Sequence, residues 1–281
     1  MALAVGEALV AAERPYTATT LEGPLRKAYV DWMDSPDNTR APGFTCMSAC
    51  RRLKETATPW VEATVINSKG CGANMRVAPV GLLLDEEPAT RRAAIAQFQA
   101  ALTHGHPTGL AASDLTTYAV ADLASGGNPA DLPVRLYAYA ESQRTVYHGD
   151  WLGTHWQQVG VESPEEFIAR GWDECLDVLA RLRAAADYGD RATDPCQFTG
   201  EGWIAEEAFA TGLLCFLLFP DDPVAALRRA AVTAGDSDSI ACLTGAFAGA
   251  YHGLSAWPED WRERIEYRDR LAYLASALEA R

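Results

Sequence analysis

The stretch that begins at Ser163 carries the clearest fold signal in this 281-residue chain. Ser163 and Glu166 have the spacing of a helix-capping box, and Pro164 stands at the first helical position, where a missing N–H is tolerated. Apolar residues then recur every three or four positions as far as Ala186. The pattern therefore predicts a long helix with one buried face.

The same spacing recurs along most of the chain, whereas the alternating pattern of a strand is almost absent. Further helices are predicted over residues 87–104, 113–123, 132–142, 204–218, 223–233, 241–253 and 258–281. Short loops rich in Gly, Pro, Asn and Asp separate them, and no change of composition marks a domain boundary. We therefore expect residues 1–281 to form one compact all-α domain, an orthogonal multi-helix fold of about ten to thirteen helices.

Composition limits the partners and the compartment. Lys and Arg number 24 against 38 Asp and Glu, a net charge of -14 that argues against binding a nucleic-acid backbone or an anionic membrane. No apolar run reaches the roughly 18 residues of a membrane span, and the N-terminus has no signal-peptide pattern. The seven cysteines show no zinc-binding spacing, so we expect reduced thiols and a cytoplasmic protein.

Residues 67–76 form a glycine-rich loop ahead of an apolar segment. Its glycines would let backbone N–H groups approach an anion, and Ser68 and Lys69 add donors that suit a diphosphate. The loop is not a Walker motif and no strand–helix alternation surrounds it, so a nucleotide triphosphatase is not expected. The alternative is that Gly70 and Gly72 only form a tight turn.

A second loop, residues 200–203, precedes a helix with an acidic first turn. Trp203 follows two glycines and could cover a ligand beside Glu206. It could equally be a buried tryptophan next to a solvated acidic turn.

Residues 235–240 place two carboxylates and a hydroxyl just before a helix rich in small residues. Asp236, Asp238 and Ser239 could supply oxygen ligands to a divalent cation, or they could serve only as helix N-cap residues. Glycines every four residues line one face of the helix and would let another helix come close: Gly245, Gly249 and Gly253.

In this order the segments resemble the ADP-ribosylglycohydrolase family. Leu102-Thr103-His104 is similar to the family's Leu-Thr-His, and residues 67–76 are similar to its Gly-Asn-Gly-Ala-Ala-Met-Arg loop. Residues 200–207 resemble its Gly-x-Gly-aromatic segment. Residues 235–253 resemble its C-terminal signature, Gly-Asp-Thr-Asp-Thr-Ile followed by glycines every four residues.

The resemblance implies an all-α fold with two Mg²⁺ ions in a cleft, and hydrolysis of the bond between ADP-ribose and a protein side chain. The implied metal ligands are Asp236, Asp238 and Ser239. The implied diphosphate-binding residues are Asn67, Ser68, Lys69, Gly70 and Gly72. By the same resemblance, His104 would contact the adenosine end, Trp203 would contact the distal ribose, and Glu206 would face a guanidinium leaving group. For His104 the alternative is a helix-terminal histidine that satisfies carbonyls of the last turn.

One departure from the family concerns the missing half of the metal site. In the family, a Thr-Asp-Asp-Thr segment near the N-terminus supplies the other metal ligands, with a catalytic carboxylate upstream. Here residues 1–9 resemble the helix that follows that segment, so the chain reads as N-terminally truncated relative to the family and its catalytic residues are unknown. Cys71 also stands where the family loop usually carries Asn.

Three functional hypotheses follow. Three oxygen-bearing side chains are too few for two Mg²⁺ ions, so the hydrolase activity of this chain is doubtful. The first hypothesis is a Mg²⁺-dependent ADP-ribosyl hydrolase with weak activity. The second is a longer, active enzyme whose start codon has been placed too late in this sequence. The third is a non-catalytic protein that binds ADP-ribose or ADP-ribosylated protein.

Overall fold

The computed structural model describes residues 1–83 and 87–279, which form sixteen α-helices and four short 3-10 helices. In chain order the α-helices are α1 (Ala2–Ala11), α2 (Ala18–Asp34), α3 (Phe44–Lys54), α4 (Trp60–Ala63), α5 (Ala78–Gly81), α6 (Ala89–Ala101), α7 (Pro107–Ala124), α8 (Leu132–Gln143), α9 (Gly149–Leu152), α10 (Pro164–Tyr188), α11 (Cys196–Thr199), α12 (Ala205–Leu218), α13 (Pro223–Ala231), α14 (Ser237–His252), α15 (Glu259–Arg264) and α16 (Arg268–Glu279). The 3-10 helices are Cys71–Ala73, Pro129–Asp131, His155–Val159 and Leu254–Ala256.

The all-α prediction is confirmed. Eleven of these helices have seven or more residues, which lies within the expected ten to thirteen. Over the described ranges, strand-like pairing is limited to two isolated bridges, Val65 with His104 and Gly70 with Ile204. No helix in the same ranges is both long and apolar enough to cross a lipid bilayer.

The 25-residue helix α10 forms for the reason that its sequence predicts. The Ser163 side chain accepts a hydrogen bond from the Glu166 N–H at 3.1 Å, and Glu166 accepts one from the backbone of Glu162 at 2.8 Å. These bonds satisfy N–H groups that a helix start otherwise leaves without partners. Gly189 follows the helix in the left-handed conformation and ends it.

The main core lies between α7, α10, α12 and α14. Helices α7 and α12 are rich in Ala, Gly and Leu and are buried on nearly all sides, so neighbouring helices can surround them. Large side chains fill the centre: Leu110, Leu115, Trp172, Phe209, Phe216 and Phe247. Burying each contributes about 1.5–3 kcal/mol of hydrophobic stabilisation. A second cluster joins α1, α2, α3 and α6.

Gly171 sets the distance between α10 and the start of α7. A Cβ atom at this position would overlap the backbone of Pro107, so only glycine allows the two helices to come this close. The approach brings the following turn of α10 next to the residues that begin α7.

The predicted C-terminal helix is wrong as a single element. It divides into α15 and α16 because Tyr267 adopts a positive φ of 57° between them. The sequence contains no glycine or proline at this point, so it gives no local warning of the break. Residues 280–281, which the prediction also covered, lie outside the described residues.

The glycine face of α14 also differs from expectation. Within the described ranges, a Cβ at Gly249 would meet no atom within 4 Å, and one at Gly245 would meet only Leu227 at 3.7 Å. Gly253 lies past the end of the helix with φ 71°. The close helix that this spacing predicted is therefore not found among these residues.

Candidate functional site

Three segments that are far apart in the sequence meet in the structure: the 67–76 loop, the 200–206 turn and the start of α14. The Ala205 N–H donates to the Lys69 carbonyl at 2.8 Å, and the Asn74 side chain donates to the Ala205 carbonyl at 3.1 Å. The Asp236 N–H donates to the Glu201 carbonyl at 2.7 Å. Main-chain hydrogen bonds thus fix the turn between the loop and α14.

Gly235 is required for this junction. A Cβ atom there would overlap the backbone of Glu201, so any larger residue would push the 200–206 turn away from α14. The packing of the turn against α14 therefore explains why residue 235 is glycine, whether or not a ligand binds nearby.

The carboxylates of the motif lie beside a thiol. Asp236 and Ser239 are buried whereas Asp238 is exposed, and the Asp236 side chain makes no capping hydrogen bond to α14. Instead the Cys71 sulfur lies 3.4 Å from Asp236 Oδ2 and 3.3 Å from Ser239 Oγ, so the thiol can donate to either oxygen. Burial raises the pKa of Cys71 to about 12, and burial together with the neighbouring Asp238 raises the pKa of Asp236.

These residues alone do not fit a pair of Mg²⁺ ions. Within residues 1–83 and 87–279, no group of three or more His, Cys, Asp or Glu side chains is arranged to hold a metal ion. Asp236, Asp238 and Ser239 share one helical turn and offer three oxygen-bearing side chains, but each Mg²⁺ needs about six ligands.

The glycine-rich loop presents mainly neutral donors. Asn67 is exposed, and Ser68, Gly70 and Gly72 are partly exposed. The Ser68 hydroxyl shares a 2.9 Å hydrogen bond with the hydroxyl of Thr45, in the first turn of α3. Cys71–Ala73 forms one 3-10 turn, so the tight turn that the glycines predicted is present, and it lies where the three segments meet.

Lys69 does not point to open solvent. Its ammonium lies 2.7 Å from Glu174 on α10 and 2.7 Å from Glu206 on α12. Burial lowers the pKa of Lys69, but the two hydrogen-bonded carboxylates raise it more. Burial raises the pKa of Glu206, whereas Lys69 and Thr108 outweigh partial burial and lower that of Glu174. Glu206 is therefore paired with a lysine of this chain.

His104 lies beneath the loop. It is 2 % exposed, and its Nδ1 shares a 2.8 Å hydrogen bond with the Thr103 hydroxyl rather than with a carbonyl of the last helical turn. Its ring would contact a Cβ at Gly72 at 3.3 Å and one at Gly70 at 3.6 Å. Burial and the nearby Arg76 lower the pKa of His104 to about 3, so the ring is neutral.

Trp203 stands at the opposite edge of the loop. The ring is 60 % exposed and its N–H donates to Glu201 at 3.2 Å, so the alternative of a buried tryptophan is wrong. The 2.8 Å bond between Ala205 and Lys69 keeps this turn next to the loop.

Sequence reasoning missed two contributors to the site. Thr45 lies in the first turn of α3, and Pro42-Gly43 just before this helix is a turn signal that could have drawn attention to it. Glu174 has no such signal, because it reads as one polar position on the outer face of a long helix.

Comparisons with known proteins agree with the fold and the motifs. The family model described as ADP-ribosylglycohydrolase matches residues 1–281. The chain is 27% identical over 227 residues to the human protein named ADP-ribosylhydrolase ARH3, covering 75% of this chain and 58% of that protein. It is 27% identical over 246 residues to the mouse protein of that name, covering 82% of this chain and 61% of the relative. The chain thus spans less than two thirds of the length of these relatives.

A solved structure described as an ADP-ribosylglycohydrolase-related protein complex has the same fold. It aligns with a TM-score of 0.56 and 23% sequence identity, over 99% of this chain and 78% of the other. The family model, together with the meeting of the three motif segments, leads to one conclusion: the chain belongs to the ADP-ribosylglycohydrolase family.

Proposed function

We propose that this chain binds the ADP-ribosyl group of a modified protein, or ADP-ribose itself, between the 67–76 loop, Trp203 and the first turn of α14. The activity proposed is the Mg²⁺-dependent hydrolysis of the bond between ADP-ribose and a side chain. The observation that carries the proposal is the convergence of three family motifs, fixed by the hydrogen bonds from Ala205 to Lys69 and from Asp236 to Glu201.

The exposed groups of this cleft suit the parts of ADP-ribose. The Gly70 N–H makes only a long 3.5 Å hydrogen bond to Ser68 Oγ, so both groups can turn to donate to a diphosphate instead. The exposed face of Trp203 can stack against a ribose, and neutral His104 supports the loop from below. These side chains bind and orient; none of them is assigned as the catalytic group.

Hydrolysis by this family needs oxygen ligands beyond Asp236, Asp238 and Ser239. When bound, Mg²⁺ would supply a Lewis acid at the distal ribose.

A second candidate function is ADP-ribose binding without cleavage. The Cys71 thiol favours this function. It can donate a hydrogen bond to the Asp236 carboxylate or the Ser239 hydroxyl, the oxygens that would otherwise be ligands of a cation. A protein of this kind would need no metal to bind its ligand.

A thermal-shift and turnover experiment tests both functions. ADP-ribose at about 100 times its Kd adds about 2.7 kcal/mol of stability, which corresponds to a Tm increase of about 4–5 °C for a chain of this size. A shift in MgCl₂ with release of ADP-ribose from modified protein supports the hydrolase. A shift that persists in EDTA without release supports the binder.

The matched variants are Asp236→Asn and Asp260→Asn. Asp236→Asn removes the buried carboxylate and should abolish any Mg²⁺-dependent part of the shift, whereas the control alters an exposed position on α15. No Tm shift with ADP-ribose in either buffer would contradict both functions.

A further inference from the structure

An ion-paired cluster lies directly beneath the candidate site. Lys69 contacts Glu174 and Glu206, each at 2.7 Å, and the Thr108 hydroxyl donates to the same Glu174 oxygen at 2.6 Å. Thr108 belongs to the first turn of α7. The Lys69 side chain is thus held directly by α10 and α12, and Thr108 of α7 holds its partner Glu174.

The backbone of the loop is held at the same place. The Ser68 carbonyl accepts a hydrogen bond from the His106 N–H at 3.3 Å, and the Lys69 carbonyl accepts one from Ala205 at 2.8 Å. These main-chain bonds fix the backbone of residues 68 and 69, and the two ion pairs fix the Lys69 side chain. Its ion pairs therefore constrain the residues that follow it, 70–72.

Glu174 reaches this cluster because of the packing at Gly171. The glycine brings α10 onto the Pro107 backbone, and Glu174 lies three residues further along the same helical face. That spacing places its carboxylate beside Thr108, one residue after Pro107. The position of Glu174 thus follows from a helix crossing that only glycine permits.

The charges of the cluster give Lys69 a structural role. One ammonium faces two carboxylates, and Glu206 is only 4 % exposed. Removing the cation would leave a buried carboxylate unpaired, which is costly. The ammonium is thus already paired with carboxylates of this chain, while Ser68 and Gly70 are partly exposed and joined only by a long 3.5 Å hydrogen bond from the Gly70 N–H to Ser68 Oγ.

We propose that Glu174 is a positioning residue of the ADP-ribose site. Through Lys69 and Thr108 it holds residues 68–72 in the conformation that binds the ligand. The inference rests on the proposed function for its ligand, but its claim about the loop can be measured in the free protein.

The test compares Glu174→Ala, Glu174→Gln and Asp173→Ala in the full chain. Asp173 is the neighbouring residue on α10 and pairs with Arg144 at 2.5 Å, with an exposure similar to that of Glu174. Asp173→Ala therefore removes an ion pair from the same helix without touching Lys69. Glu174→Gln removes the charge but retains an oxygen that can accept from Lys69 and Thr108.

In the free protein, Glu174→Ala should speed the amide hydrogen exchange of residues 68–72 about tenfold, and Asp173→Ala should leave it unchanged. Calorimetry with ADP-ribose should show an affinity about tenfold weaker for Glu174→Ala. Glu174→Gln should restore most of the lost affinity, since a charge-assisted bond becomes a neutral one.

The inference is overturned if Glu174→Ala leaves the exchange of residues 68–72 unchanged, or if Asp173→Ala speeds it equally. Absence of ADP-ribose binding by the wild-type chain would instead overturn the proposed function. The exchange measurement would still decide whether Glu174 orders the loop.

Discussion

At the scale of single residues, Asp114 is a carboxyl group that the main core buries without a paired cation among the described residues. Tyr139 donates to one of its oxygens at 2.7 Å and Gln97 to the other at 2.9 Å. Burial raises the pKa of Asp114 from 3.8 to about 6, and these two hydrogen bonds only partly oppose the increase. Between pH 3.8 and about pH 6, Asp114 is therefore ionised in the unfolded chain but keeps its proton in the folded chain.

This difference predicts a pH-dependent stability. The contribution of Asp114 is fully present below about pH 4 and is lost as the pH rises through about 6, a change of about 3 kcal/mol. Urea unfolding of the wild type and Asp114→Asn at several pH values measures it. The stability of the wild type relative to the variant should fall across that range; a constant difference would contradict the assigned pKa.

The side-chain partners at the site could not be read from the sequence. Motif order was enough to group Ser68, Lys69, Trp203 and Asp236 in one candidate site. The side-chain pairs found there join residues more than 100 positions apart: Lys69 with Glu174 and Cys71 with Asp236. Such pairs depend on helix crossings, which local spacing does not encode.

At the scale of elements, the glycines of α14 and α10 have opposite meanings. Among the described residues no atom lies within 4 Å of a Cβ built at Gly249, whereas Gly171 lies against the Pro107 backbone. Both occur within helices, where glycine costs backbone entropy relative to alanine. Surroundings rather than residue type therefore decide what a substitution does.

Gly249→Ala should stabilise the protein by about 0.5–1 kcal/mol, because the added methyl group meets no atom of the described residues and helix propensity improves. Gly171→Ala should destabilise it by more than that, because α10 must move away from α7. Urea unfolding of both variants checks the pair. Equal effects of the same sign would show that the helix contacts are not as described.

Element boundaries followed the sequence at two capped helix starts but not at α7, which begins at Pro107 with a His106 cap rather than at residue 113. Ser163 at the start of α10 and Asp222, whose side chain caps α13 at 2.9 Å, both mark predicted helix starts. The break at Tyr267 was missed, since a residue other than glycine in a left-handed conformation leaves no pattern in the sequence.

At the scale of the whole molecule, the N-terminal part of the chain meets the α15–α16 region through ion pairs at the surface. Arg40 pairs with Glu266 and Glu7 pairs with Arg270, and all four side chains are well exposed. Leu274 is the one buried hydrophobic side chain of α16 among the described residues and packs against α1. Helices α15 and α16 thus pack against the remainder of the fold through few buried contacts.

Hydrogen exchange should reveal this uneven stability. Helices α15 and α16 should lose protection at least about 100-fold faster than α7, because local opening exposes little apolar surface. About 1 M NaCl should speed exchange in α16 but not in α7, since exposed ion pairs are screened by salt. Equal protection of α16 and α7 would contradict this view.

The pairing of Lys69 with two carboxylates also bears on how fast a ligand can arrive. A chain with a net charge of -14 offers an anionic ligand no free ammonium at this point of the loop, so electrostatic steering cannot draw it in. Association should then proceed at no more than the unsteered rate of about 10⁵–10⁶ M⁻¹s⁻¹ and become faster, not slower, as salt screens the repulsion. Stopped-flow mixing at several salt concentrations measures this association rate constant. Affinity for the ligand would then depend on the dissociation rate rather than on electrostatically accelerated association.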